Sequence, residues 1–152
     1  DVIDVGKRRQ VASVAVGKRP RGIAFTPDGG RAYVACEVEG KVYAIDVASR
    51  KVLAAIVAGE FPNGLAMHPD GRRVFVSNGR DGTVMAIDTA ANAGVGSVAV
   101  GKRPWNMALT PDGGKLYVAN GRSGSVSVID TGSLKKLAEI AVGVLPWGVS
   151  IR

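Results

Sequence analysis

An all-β fold assembled from 42-residue units is predicted by three observations on the sequence. Gly17, Gly59, Gly101 and Gly143 each open a Gly-x-x-Pro pattern and stand 42 residues apart. Asp28, Asp70 and Asp112 occupy Pro-Asp-Gly turns at the same interval, followed by Gly40, Gly82 and Gly124 and then by Asp46, Asp88 and Asp130. Each unit holds four short apolar runs separated by turn residues. A period of about 40 to 45 residues with four strands per unit is the signature of propeller blades. The fold class is therefore a β-propeller of 42-residue, four-stranded antiparallel blades, with about three and a half blades in this chain.

The unit spanning residues 18–59 shows the reasoning. Arg21 to Phe25 is an apolar run closed by Thr26-Pro27-Asp28-Gly29-Gly30. There Pro presets φ, Asp bonds the downstream backbone and Gly takes a positive φ, which is hairpin chemistry. Arg31 to Ala35 follows as the second strand, and Gly40 supplies a left-handed position in the next connection. The third strand, Lys41 to Ile45, ends at Asp46. Ala48 to Lys51 turns the chain into a fourth strand, Val52 to Val57, rich in residues that suit a sheet. The same runs recur as Gly64 to Met67, Arg73 to Ser77, Thr83 to Ile87 and Val95 to Val100, then as Trp105 to Leu109, Lys115 to Ala119, Ser125 to Ile129 and Lys136 to Val142. No stretch between Gly and Pro breaks is long enough for three helical turns, so Leu53-Ala54-Ala55-Ile56 also reads as strand. Val42 and Ala44 face away from Tyr43 and Ile45, so both faces of a blade need cover, which neighbouring blades supply.

Blade boundaries fall at residues 1–17 (partial), 18–59, 60–101, 102–143 and 144–152 (partial), all in one domain. Val2-Ile3-Asp4 aligns with Ala44-Ile45-Asp46, so the N-terminus supplies a third strand and a fourth, Val11 to Val16. Gly148 to Ile151 is expected as a lone first strand.

Leu116-Tyr117-Val118-Ala119-Asn120, preceded by Thr110-Pro111-Asp112-Gly113 and followed by Gly124 to Asp130, resembles the YVTN-type β-propeller repeat across essentially the whole chain. The last stretch, Val142 to Arg152, is similar to the C-terminal end of propellers associated with PQQ-dependent alcohol catabolism in bacteria. That resemblance implies a periplasmic accessory beside transporter components, with no catalytic residue set to carry across. The first resemblance implies around seven blades, against the partial set present here. Three geometries fit this count: the C-terminal half of a longer propeller, two chains closing head to tail, or one chain closing as a four-bladed ring whose last blade lacks its second strand. An open arc exposes apolar blade faces at both ends, so self-association or completion by a missing half is expected.

At 46% hydrophobic and 22% charged residues the composition is that of an ordinary globular protein, and its longest apolar run, Val52 to Ala58, is far below the ~20 residues of a spanning helix. No membrane span is expected. Localisation reads as periplasmic or exported. The single cysteine, Cys36, stands where Asn78 and Asn120 stand in the next units and reads as a partly buried thiol.

A formal charge of +7 raises the question of pattern. Lys18-Arg19 and Lys102-Arg103 lie just before the repeat Pro, at one rim of the ring, and form a basic rim. Arg21 lies there too, and Arg80 and Arg122 sit in connections that open on the same face. Such a rim favours an anionic small molecule or an acidic protein surface. Nucleic acid is disfavoured because stacking aromatics are scarce. Trp105 and Trp147 take the position of Arg21 and Asn63 at the start of the channel-lining first strand. Two readings follow: a pocket of Arg21, Asn63, Trp105, Trp147, Arg80 and Arg122 for a flat anionic ligand, which PQQ would suit, or tryptophans that pack as inter-blade wedges.

Catalytic readings find little in these residues. His68, the one histidine, replaces Thr26 and Thr110 on a hairpin at the opposite face. The recurrent aspartates read as turn-capping groups. No metal-ligand spacing, haem-attachment motif, phosphate loop or nucleophile elbow occurs. The expectation is accordingly no catalytic residues, no metal and no cofactor, and a noncatalytic interaction or ligand-binding scaffold. The alternatives are a piece of a propeller enzyme whose catalytic residues lie in a missing half, and a surface-layer or adhesion protein.

Overall fold

The computed structural model describes residues 1–151 and contains fourteen strands among them. β1 (Val2–Asp4) and β2 (Arg9–Ala12) form a hairpin. Three antiparallel meanders follow: β3 (Pro20–Phe25), β4 (Arg31–Cys36), β5 (Lys41–Asp46) and β6 (Val52–Val57); β7 (Pro62–Met67), β8 (Arg73–Asn78), β9 (Thr83–Asp88) and β10 (Ala93–Ala99); and β11 (Pro104–Leu109), β12 (Lys115–Asn120), β13 (Ser125–Asp130) and β14 (Lys135–Ala141). This is the all-β partial propeller read from the period.

The sheets fan out radially. First strands β3, β7 and β11 pack side by side, whereas fourth strands β6, β10 and β14 barely touch. The close approach at the hub needs residues without side chains: a Cβ on Gly22 would overlap the Asn63 carbonyl, and one on Gly64 would lie 2.5 Å from the Trp105 carbonyl oxygen. The ladder register breaks at this point in each first strand, between Pro20 and Ile23, Pro62 and Leu65, and Pro104 and Met107.

Alternation along the strands builds the cores. Tyr33, Ala35, Val42 and Ala44 of the first full blade meet Val74, Val76 and Ile87 of the second. On its other face the second blade presents Phe75, Val84 and Ala86 to Met107, Leu116, Val118 and Ile129 of the third. Val34, Cys36 and Ile45 are packed by Val14 and Val16. These two valines were expected within the N-terminal fourth strand; that strand instead ends at Ala12. Gly148 to Ile151, expected as a first strand, makes no ladder, because no second strand lies beside it.

The aspartates secure the turns. Asp28 Oδ1 accepts bonds from Thr26 Oγ1 and the Gly30 N–H, and Asp112 repeats this with Thr110 and Gly114. Asp46 and Asp130 take the N–H and hydroxyl of Ser49 and Ser133, while Asp88 takes the N–H groups of Ala90 and Ala91. The glycines of the Pro-Asp-Gly turns lie at φ of 70° to 74°, the left-handed conformation that glycine adopts without steric cost.

Candidate functional site

Two kinds of loop meet on one face of the fan. The Gly-x-x-Pro segments lead into the first strands, and the corner loops 37–40, 79–82 and 121–124 join second strands to third. Main-chain bonds lace them together: the N–H groups of Glu37, Gly79 and Gly121 donate to the carbonyls of Arg19, Phe61 and Arg103 at 3.1, 2.8 and 2.9 Å. Arg80 and Arg122 N–H donate to the carbonyls of Glu60 and Lys102. A side chain completes each junction, since Glu39, Asp81 and Ser123 accept from the N–H of Lys18, Glu60 and Lys102. Arg19, Phe61 and Arg103, whose carbonyls take these bonds, lie at φ of 56° to 59°, and Leu145, whose carbonyl takes none among the described residues, lies at 53°, a conformation uncommon for residues other than glycine. A proline follows each of the four.

Arg21 and Arg19 both turn onto Glu37, their Nε atoms 2.6 and 3.1 Å from its Oε2. The Glu37 carboxylate is 96% buried beneath them. Arg80 Nε lies 3.1 Å from Glu60 Oε2, and its guanidinium stands 5.6 Å from the Phe61 ring centre. Arg103 approaches the same ring at 6.0 Å, so one aromatic face system gathers two cations. Lys18, Lys102, Arg103 and Arg122 have no carboxylate partner among the described residues. Asn63 is half-buried.

Trp105 and Trp147 come together, with ring centres 4.8 Å apart and planes at 47°. Trp105 also lies on Gly121, where a Cβ would overlap its ring. Position by position, the pair Arg21 with Glu37 becomes Trp105 with Gly121 two blades on. That exchange is visible when the units are aligned, and it is the sequence signal that marks Glu37 as the partner of Arg21. Phe61 had no such signal.

Between adjacent corners lie two matching depressions. One, of about 290 Å³, is bounded by Glu37 to Gly40, by Gly59 to Phe61 and by Arg80. The other, of about 440 Å³, sits one repeat later, bounded by Gly79 to Gly82, by Ala99 to Arg103 and by Arg122. Three glutamates (Glu37, Glu39, Glu60) and one arginine, Arg80, line the first, with the Glu37 carboxylate covered by Arg19 and Arg21. Four cations (Arg80, Lys102, Arg103, Arg122) face the single carboxylate of Asp81 in the second. Near the acidic depression, Tyr43 donates its phenol hydrogen to Glu39, which raises the Tyr43 pKa to about 12, with desolvation adding to it, and lowers that of Glu39. His68 lies on the other face, packed over Gly113 beside Asp70.

A family described as lactonase, 7-bladed beta-propeller, matches residues 4–144. The chain belongs to this family of lactonase propellers. Among solved structures, this lactonase-family chain is similar to Kuenenia stuttgartiensis hydrazine synthase, at 26% identity and a TM-score of 0.82 over 85% of this chain and 38% of that one. It is similar to a Bacteroides fragilis protein provisionally assigned as a 6-phosphogluconolactonase, at 27% identity and a TM-score of 0.78 over 90% of this chain and 43% of that one. A functionally unknown protein from Desulfotomaculum acetoxidans shares the fold at 22% identity and a TM-score of 0.75, with 88% and 45% covered. The lactonase-family chain thus spans less than half the length of the structures it matches. No curated protein matches it.

The family corrects the noncatalytic expectation. The scaffold reading, including the accessory role beside PQQ-dependent oxidation, gives way to a family named for a hydrolase and a neighbour assigned to lactone hydrolysis. The error has a physical origin: side chains that recur once per blade for structural reasons hide any catalytic subset, and most of a propeller's site comes from different blades meeting at one face.

Proposed function

We propose that this chain forms part of a hydrolase that opens an anionic sugar lactone, bound at the face where the Gly-x-x-Pro segments meet the corner loops. The observation that carries the reading is the lactonase-family match over residues 4–144. The cations of that face, Lys102, Arg103 and Arg122, support an anionic rather than a neutral substrate, and the resemblance to a provisionally assigned 6-phosphogluconolactonase supports a phosphorylated one. In the reaction, water adds to the lactone carbonyl, the ring acyl–oxygen bond breaks, and a hydroxy acid forms with release of a proton. The residues of this chain contribute binding and charge: guanidinium groups fixed at the rim hold the anion and stabilise negative charge on the carbonyl oxygen. His68 lies on the opposite face and takes no part. We also read the repeat as YVTN-type, supported by Leu116 to Asn120 and its flanking turns.

The test is a pH-stat measurement of acid release by the full-length protein from 6-phosphogluconolactone and from uncharged glucono-δ-lactone. Faster opening of the charged lactone is expected. Equal, uncatalysed rates for both would overturn the reading.

A further inference from the structure

We propose that the basic depression between the second and third full blades is a subsite for the phosphate group of the substrate, and that its twin one repeat earlier is built to refuse it. The proposal rests on the lactonase reading for what carries the phosphate, but the site itself is argued from the loops.

Both depressions share one frame. The lacing bonds at Glu37, Gly79 and Gly121 are equivalent, and so are the side-chain locks at Glu39, Asp81 and Ser123. What changes over one repeat is the set of side chains on that frame: Glu60 becomes Lys102, Phe61 becomes Arg103, Glu37 becomes Gly79 and Val38 becomes Arg80, while Arg80 is matched by Arg122. Arg80 is occupied by Glu60, so the free cations are Lys102, Arg103 and Arg122. Arg103 is held on two sides, by its left-handed backbone and by the Phe61 face. A guanidinium restrained in this way loses little freedom on taking an oxyanion, and its planar fork suits two phosphate oxygens. Asp81, the one carboxylate present, is tied through Oδ2 to the Glu60 N–H. The volume, about 440 Å³, admits a phosphate with part of a sugar. In the twin the one lining guanidinium, Arg80, is already paired with Glu60, and Glu39 adds a further negative charge, so no free cation lines it to receive the same group.

Inorganic phosphate is the probe, followed through the Nε–H resonances of arginine in the full-length protein, with gluconate as a carboxylate comparison. Phosphate is expected to shift Arg103 and Arg122, with binding weakened by salt. Arg103→Gln and Arg122→Gln should each reduce affinity roughly tenfold. Both side chains lie outside the blade cores, so thermal unfolding of the variants should match the parent. The double change Lys102→Glu with Arg103→Phe, which gives the basic depression its twin's residues at these two positions, should abolish phosphate binding while thermal unfolding stays unchanged, which a purely structural role for these residues would not do. Absence of any shift at millimolar phosphate, binding indifferent to both glutamine variants, or stronger binding of gluconate would overturn the subsite. Phosphate binding without lactone hydrolysis would instead reject the proposed reaction and leave the subsite standing.

Discussion

Arg73 Nη1 donates a 3.0 Å hydrogen bond to the carbonyl of Thr131, fastening the second full blade to the hairpin of the third. Arg31 repeats the contact one blade earlier on the carbonyl of Thr89, where the Tyr33 hydroxyl adds a bond at 3.3 Å. These bonds join the starts of second strands to the ends of third strands in the next blade, on the face away from the basic rim.

Arg73→Ala should therefore lower stability by about 1.5–3 kcal/mol, the usual worth of a hydrogen bond made by a charged group, with no change in phosphate binding. Urea unfolding checks this. Because the two clasps lie on different blade pairs, Arg31→Ala should add its own loss to that of Arg73→Ala.

Gly64 carries a sharper constraint. A valine there would press on the Trp105 carbonyl at the hub, and backbone cannot swing aside as a side chain can. Gly64→Val should cost about 1–3 kcal/mol or more, read as a lowered midpoint of thermal unfolding. Gly30, whose would-be Cβ meets only the Asp28 carboxylate at 3.4 Å, should tolerate alanine.

Tyr43 should ionise late. Its hydrogen bond to Glu39, with desolvation behind it, raises the pKa to about 12. A tyrosine whose folded pKa exceeds the unfolded value of about 10 adds stability that is complete below pH ~10 and lost as pH rises toward 12. Absorbance titration of the phenolate should show this group titrating last, and Glu39→Gln should bring its midpoint down. An unchanged midpoint in Glu39→Gln would remove the assigned cause.

Acid should loosen the turns in the opposite sense. Bonds from Thr26, Ser49, Thr110 and Ser133 depress the pKa values of Asp28, Asp46, Asp112 and Asp130. Their contribution is full above the ordinary carboxylate value of about 3.9 and is lost as pH falls through the folded values. Denaturant midpoints should fall below about pH 4, and replacing these aspartates by asparagine should flatten that fall.

Cys36 is fully buried, and desolvation raises its pKa. A disulfide reagent at neutral pH should label it only on unfolding. Rapid labelling of the folded protein would contradict the packing of Val14 and Val16 against it.

The meander of each blade was legible because turn chemistry is local: Pro27-Asp28-Gly29 and its copies state where a strand ends, and Val42 against Tyr43 states which way each side chain faces. The rim was legible only as a place. Lys102, Arg103 and Arg122 line one depression with Arg80, but the pairing of Arg21 with Glu37 and the stacking of Arg80 and Arg103 on Phe61 join residues 16 to 42 positions apart. Such partners are chosen by how neighbouring loops are laced, a tertiary matter that no local pattern encodes. Activity was misread for a related reason, since a site spread over several blades shows only a fraction of its residues in any one of them.

The identical fastening of successive corner loops separates two jobs that most folds must compromise between. Backbone bonds and one polar side chain (Glu39, Asp81 or Ser123) keep every corner in shape, so the positions beside it are free to differ: Glu37 and Val38 at one corner, Gly79 and Arg80 at the next, Gly121 and Arg122 at the third. A wheel made this way can acquire or discard recognition one spoke at a time, and grafting a single corner onto its neighbour becomes a direct means of rewriting what the surface selects.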